Sequence, residues 1–66
     1  MTHEVREKIA LCKEKRLPYL DLSSQELTEI PPEVGTLVWL ERLSLSHNHI
    51  SDITPLASLK KVHKLS

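Results

Sequence analysis

Apolar side chains recur along this chain in blocks set a fixed distance apart. Leu17, Leu20, Leu22, Leu27 and Ile30 return one period later as Leu40, Leu43, Leu45, Ile50 and Ile53. An amide side chain holds the same place in each block, Gln25 in the first and Asn48 in the second. Val62 and Leu65 begin a third block, slightly sooner than a constant period would put it. Within each block the alternation Leu-x-Leu predicts a short strand. Leu20 and Leu22 face one way and Tyr19, Asp21 and Ser23 the other, as do Leu43 and Leu45 against Arg42, Ser44 and Ser46. Parallel strands need a crossover connection, and the rest of each unit supplies it. In the first unit that return path runs Ile30-Pro31-Pro32-Glu33-Val34-Gly35-Thr36-Leu37, and in the second Ile53-Thr54-Pro55-Leu56-Ala57-Ser58-Leu59. The prolines forbid a long regular helix and suit a turn followed by a short helical or 3₁₀ piece.

Ahead of the repeats, His3 to Arg16 reads as a helix. Val5, Ile9 and Cys12 fall at i, i+4 and i+7 and make one apolar stripe. Thr2 is placed to act as N-cap, Glu4 and Glu7 sit where the helix dipole favours acids, and Lys13, Lys15 and Arg16 where it favours bases. Pro18 stops any continuation and disfavours helix at Leu17. A stack of repeats needs its first apolar edge covered, so this segment is expected to be a cap rather than a membrane-surface or calmodulin-type helix, whose basic face Glu4, Glu7 and Glu14 would dilute.

The run Leu40-Glu41-Arg42-Leu43-Ser44-Leu45-Ser46-His47-Asn48-His49-Ile50 follows the pattern L-x-x-L-x-L-x-x-N-x-L and resembles the leucine-rich-repeat superfamily. The first unit departs in having Gln25 where that pattern has Asn. It looks like the repeats of intracellular scaffolds and leucine-rich-repeat GTPases, whereas the second is similar to the 22-residue class. The resemblance implies an α/β fold: a short leucine-rich-repeat solenoid with an N-terminal capping helix and parallel, edge-stacked strands. The units are then the cap at 1–16, repeats at 17–39 and 40–61, and the start of a third at 62–66. In this geometry Asn48 has a specific task. The chain turns inward after the strand, and an amide that donates and accepts at once can satisfy turn groups within and between repeats. Gln25 offers the same chemistry on a longer stem.

Composition narrows the function classes. Nine basic and nine acidic side chains balance, so no overall field draws the chain to nucleic acid or to an anionic membrane. Tyr19 and Trp39 are the aromatic residues, too few for a single-strand stacking platform. A lone cysteine excludes an intramolecular disulfide framework. The opening Met1-Thr2-His3-Glu4-Val5-Arg6-Glu7-Lys8 is too charged for a signal peptide, and no apolar run approaches membrane length. A cytoplasmic location is expected.

Candidate chemistry is sparse. His47 and His49 flank Asn48, but a zinc site needs three or four converging ligands, and Cys12 belongs to the other end of the stack. Ser46, His47 and Asp52 spell a triad only in residue type. Gly35 is the one glycine, so no phosphate-cradling loop exists. The basic cluster Lys60, Lys61, His63 and Lys64 reads as solvated surface, Cys12 as a small buried hydrophobe, and Trp39 as packing. No metal, cofactor or catalytic residue is expected, and the chain is not expected to be an enzyme.

The family resemblance implies a concave strand face that binds another protein. On that face the sequence places Tyr19, Asp21, Ser23, Arg42, Ser44, Ser46 and Lys64, with Tyr19 and Arg42 foremost because both residue types are enriched among interface hot spots. The expected function is protein recognition. Its rival is a recognition segment of a larger enzyme, such as a leucine-rich-repeat GTPase or a ubiquitin ligase. Because the third unit halts after Leu65, the chain is expected to be a fragment of a longer repeat protein, or to complete itself by self-association through its open edge strand.

Overall fold

A computed structural model describes residues 2–66. Helix α1 (His3–Lys15) starts where the Thr2 hydroxyl accepts the Val5 N–H at 3.2 Å, the side-chain cap expected of a threonine at that place. It stops at Arg16, whose left-handed backbone (φ 49°) lets the Leu17 N–H reach back to the Cys12 carbonyl at 3.0 Å. The helix thus ends by a backbone cap, before Pro18 would have forced it.

Three short strands follow: β1 (Tyr19–Asp21), β2 (Arg42–Ser44) and β3 (Lys64–Leu65). They form one parallel sheet in chain order, with Tyr19, Leu20 and Asp21 beside Arg42, Leu43 and Ser44, and Lys64 and Leu65 beside Arg42 and Leu43. The sequence period is therefore a register, and equivalent positions sit side by side. Hydrogen bonds continue past the strands, from the Leu22 N–H to the Ser44 carbonyl and from the Ser24 N–H to the Ser46 carbonyl, both 2.9 Å. Each return path carries a 3₁₀ turn, Pro32–Thr36 and Thr54–Ser58, with proline near its start as the sequence predicts.

The core lies between sheet, return path and helix. Val5, Ile9 and Cys12, the whole predicted stripe, are buried with Leu20, Leu22, Leu27, Ile30, Val34, Leu37, Leu40 and Leu43. Burial falls off along the stack. Ile30 is 2% exposed, while Ile53, its equivalent one unit on, is 58% exposed. Leu45 and Ile50 are likewise half-buried where Leu22 and Leu27 are buried.

The two return paths meet at Gly35. A Cβ there would lie 2.8 Å from the Pro55 carbonyl oxygen, so a side chain is excluded by backbone. The Ser58 hydroxyl donates to the Gly35 carbonyl at 2.7 Å across the same contact.

Asn48 ties the turns. Its Oδ1 accepts from the Gln25 and Leu27 N–H groups at 3.0 and 2.9 Å. Its Nδ2 donates to the Leu22 and Leu45 carbonyls at 2.9 and 3.0 Å, with the Ser46 carbonyl at 3.3 Å. Gln25 does something else: its Nε2 donates to Glu4 of α1 at 3.0 Å. The amide is the same, but in the first unit its neighbour is a helix rather than a preceding turn. Ser24 and His47, equivalent positions of the two units, both take left-handed backbone (φ 55° and 58°) to turn the chain inward.

Candidate functional site

The outward side of the sheet is where short, polar-flanked strands leave side chains free. The register lines up Tyr19, Arg42 and Lys64 as one row across β1, β2 and β3. Below it Asp21 stands beside Ser44, and Ser23 and Ser46 follow at the strand exits. The register thus brings together Tyr19, Asp21, Arg42, Ser44 and Lys64 of the residues named from sequence, and hydrogen bonds connect Ser23 to Asp21 and Ser46 to Ser44. Tyr19, Arg42 and Lys64 are exposed, and the others half-buried.

The row has internal order. The Arg42 guanidinium lies over the Tyr19 ring, 5.2 Å from its centroid, a cation–π contact between neighbouring strands. Tyr19, Arg42, Ser44, Lys64 and Ser66 line a shallow groove on this face, with Leu43 as part of its wall. Among the described residues neither Arg42 nor Lys64 is ion-paired; the two close pairs are His3 with Glu7 and His63 with Glu41.

Asp21 is turned to its own turn. Its Oδ1 accepts the Ser23 hydroxyl at 2.6 Å and the Ser23 N–H at 2.9 Å. Those bonds hold its carboxyl below the usual carboxylate range, and Lys8 of α1 lowers it further. Asp52 repeats the device with Thr54, its Oδ1 accepting the hydroxyl at 2.5 Å and the N–H at 2.9 Å; its carboxyl is lowered for the same reason. The Ser44 hydroxyl reaches Ser46 at 3.5 Å.

Other candidates fall outside this face. Cys12 is a buried free thiol whose Sγ donates to the Leu17 carbonyl at 3.3 Å. Burial raises its pKa, against smaller lowering by Trp39 and the Leu17 backbone. The Trp39 Nε1–H is buried without a partner of hydrogen-bonding geometry, although it lies near enough to Cys12 to act on the thiol. Trp39 packs on the core, and the Arg16 guanidinium covers its ring at 4.5 Å. His47 and His49 are exposed at the turn around Asn48. Among the described residues no three His, Cys, Asp or Glu side chains gather to hold a metal ion, and no helix is long and apolar enough to cross a membrane.

Sequence reasoning misses Lys8, which the packing of α1 on β1 brings near enough to Asp21 to act on its carboxyl. Nothing in its spacing signals this, because the helix–strand angle fixes it. Also missed is the approach of the His63 imidazole to Glu41 at 3.7 Å. A signal for that exists, since Glu41 and His63 occupy equivalent places in successive units.

A family model described as leucine-rich repeats (2 copies) matches residues 15–58. The septation initiation network scaffold protein cdc11 of Schizosaccharomyces pombe is 44% identical over 48 residues, covering 71% of this chain and 5% of that protein. The chain therefore spans a small part of the relative it resembles. No solved structure matches it.

Proposed function

The chain belongs to the leucine-rich-repeat family, and we propose that it is a protein-recognition module, without chemistry of its own, that binds a partner across the outward strand face. In this reading the coils form a short solenoid and that face is its concave side. The observation that carries it is the row Tyr19–Arg42–Lys64. An aromatic and two cations stand in register on three exposed strand positions, and among the described residues neither cation has a carboxylate partner. Tyrosine and arginine are the types that dominate binding energy when covered by a partner. Similarity to a protein that is itself a scaffold adds support.

Asp21 and Asp52 serve their own turns, and the Cys12 thiol is buried with its pKa raised. The reading places the module in the cytoplasm, in keeping with its similarity to a septation network scaffold protein. The partner is another protein; nucleic acid and membrane do not suit a balanced charge and so few aromatics.

The test is affinity capture with the folded chain, followed by substitution on the face. Tyr19→Ala and Arg42→Ala should each weaken the captured complex by about 1–3 kcal/mol while leaving the fold intact. If both variants bind as tightly as the parent while a folded Trp39→Ala variant does not bind, the strand face is the wrong surface.

A further inference from the structure

The strand face carries enough detail to specify the chemistry of what it binds, an inference that rests on the reading of that face as the binding surface. Arg42 and Lys64 are direct neighbours on adjacent parallel strands, so their backbones stand about 4.8 Å apart. The Arg42 guanidinium leans over Tyr19 of β1, and Lys64 stands on the other side of β2, so the two cations line the same groove without either neutralising the other. Among the described residues no carboxylate comes within ion-pair distance of either. Glu41, the acid next to Arg42 in sequence, lies toward His63 instead, 3.7 Å from its Nε2. Asp21 shares the face, but it is turned to its own chain, its Oδ1 accepting the Ser23 hydroxyl and N–H at 2.6 and 2.9 Å.

The hydrogen-bonding sense of the groove agrees with its charge. A guanidinium stacked on a ring keeps its edge free, and that edge is a planar fork of N–H donors matched to a carboxylate. Tyr19 supplies the ring, which also offers an apolar wall, being 45% exposed. Ser44 and Ser66, flanking the cations in the same groove, bring hydroxyls that can donate to an anion. A partner with basic side chains would meet two unpaired cations; a neutral one would leave them desolvated without compensation.

We propose that the row Tyr19–Arg42–Lys64 recognises an acidic segment of the partner protein, with carboxylate side chains on Arg42 and Lys64 and an apolar side chain against Tyr19. The row is cationic at two of its three positions, so association is fastest at low ionic strength and slows as salt screens the approach.

The probe is a capped hexapeptide of alternating glutamate and leucine, titrated into the isotopically labelled chain and followed through its amide resonances. Shifts should concentrate at Tyr19, Arg42, Ser44 and Lys64 and shrink with added salt. The glutamine counterpart of the peptide should bind about tenfold more weakly or not at all. Arg42→Glu should lose the acidic peptide and gain the lysine counterpart, a reversal that mere damage to the fold would not produce. Equal binding of glutamate and glutamine peptides overturns the proposal, as does tight binding of a phosphoserine peptide with none of the glutamate one. If a captured protein partner also maps to this face in those cases, the recognition reading survives and only the acidic chemistry fails. If captured partners map to α1 or to the return paths, both readings fail.

Discussion

Asn48 supplies the turns between the two units with both donors and acceptors, and no apolar side chain could replace it. Asn48→Ala would leave the Gln25 and Leu27 N–H groups and the Leu22 carbonyl without partners. At about 1 kcal/mol or more for each, the loss should be about 3 kcal/mol. Urea unfolding followed by circular dichroism measures it, and a loss under about 1 kcal/mol would mean that water replaces the amide. The role of Asn48 is legible in sequence because its spacing from Leu43 and Leu45 places it at an inward turn. Gln25 is legible only as a residue type, since its bond to Glu4 depends on where α1 packs. Asp21 gives a prediction in pH. Its carboxyl is lowered because the Ser23 hydroxyl and N–H bind the ionised form, so the folded chain gains stability above the ordinary aspartate value, about 4. That gain is lost as the pH falls through the lowered folded value. Ser23→Ala should therefore reduce stability at neutral pH and flatten the acid limb of the stability curve. An unchanged acid limb in the variant would show that the bond contributes nothing.

Among the elements, the helix and the two 3₁₀ turns are the most readable from sequence, because each has a local cause. Val5, Ile9 and Cys12 make the one stripe that α1 can bury, and all three are in the core. Ile9→Asp would place an unpaired carboxylate in the core that Ile9 shares with Leu20, and should cost several kcal/mol, enough to unfold so small a chain. Ile9→Val, which keeps the stripe, should cost about 0.5–1.5 kcal/mol. A folded Ile9→Asp variant with unchanged melting temperature would remove the case for α1 as a cap. The contact between the two return paths is not legible. Gly35 gives no sign of its neighbour, since the approach of Pro55 depends on how one unit settles on the next. Gly35→Ala must push backbone against backbone and should lower stability by about 1–3 kcal/mol. Ser58→Ala, which removes only the bond to the Gly35 carbonyl at an exposed site, should cost less than about 1 kcal/mol. Thermal melts of the two variants compare them directly. Equal effects would mean that the close approach relaxes freely.

For the molecule as a whole, the repeat predicts equivalent positions but not equal burial, because burial depends on what lies beyond each unit. The first unit is covered by α1 on one side and the second unit on the other. Among the described residues only the short β3 packs beyond the second unit, and Ile53 and Leu65, apolar by the logic of the repeat, are 58% and 49% exposed. Leu56, Leu59 and Val62 line a groove beside Leu65, and among the described residues β3 is the last strand of the sheet. An exposed strand edge next to contiguous apolar surface favours pairing with another chain. Reversible self-association is therefore expected of the isolated chain, and sedimentation across a range of concentrations should detect it. Leu65→Lys puts charge on the edge at a half-exposed position, so it should shift the chain toward monomer while lowering stability by about 1 kcal/mol or less. Arg42→Ala, on the outward face, should leave the association unchanged, which separates edge pairing from partner recognition. Should the parent sediment as a monomer at every concentration and melt cooperatively, two units and a cap are sufficient by themselves, and the open edge has no consequence in solution.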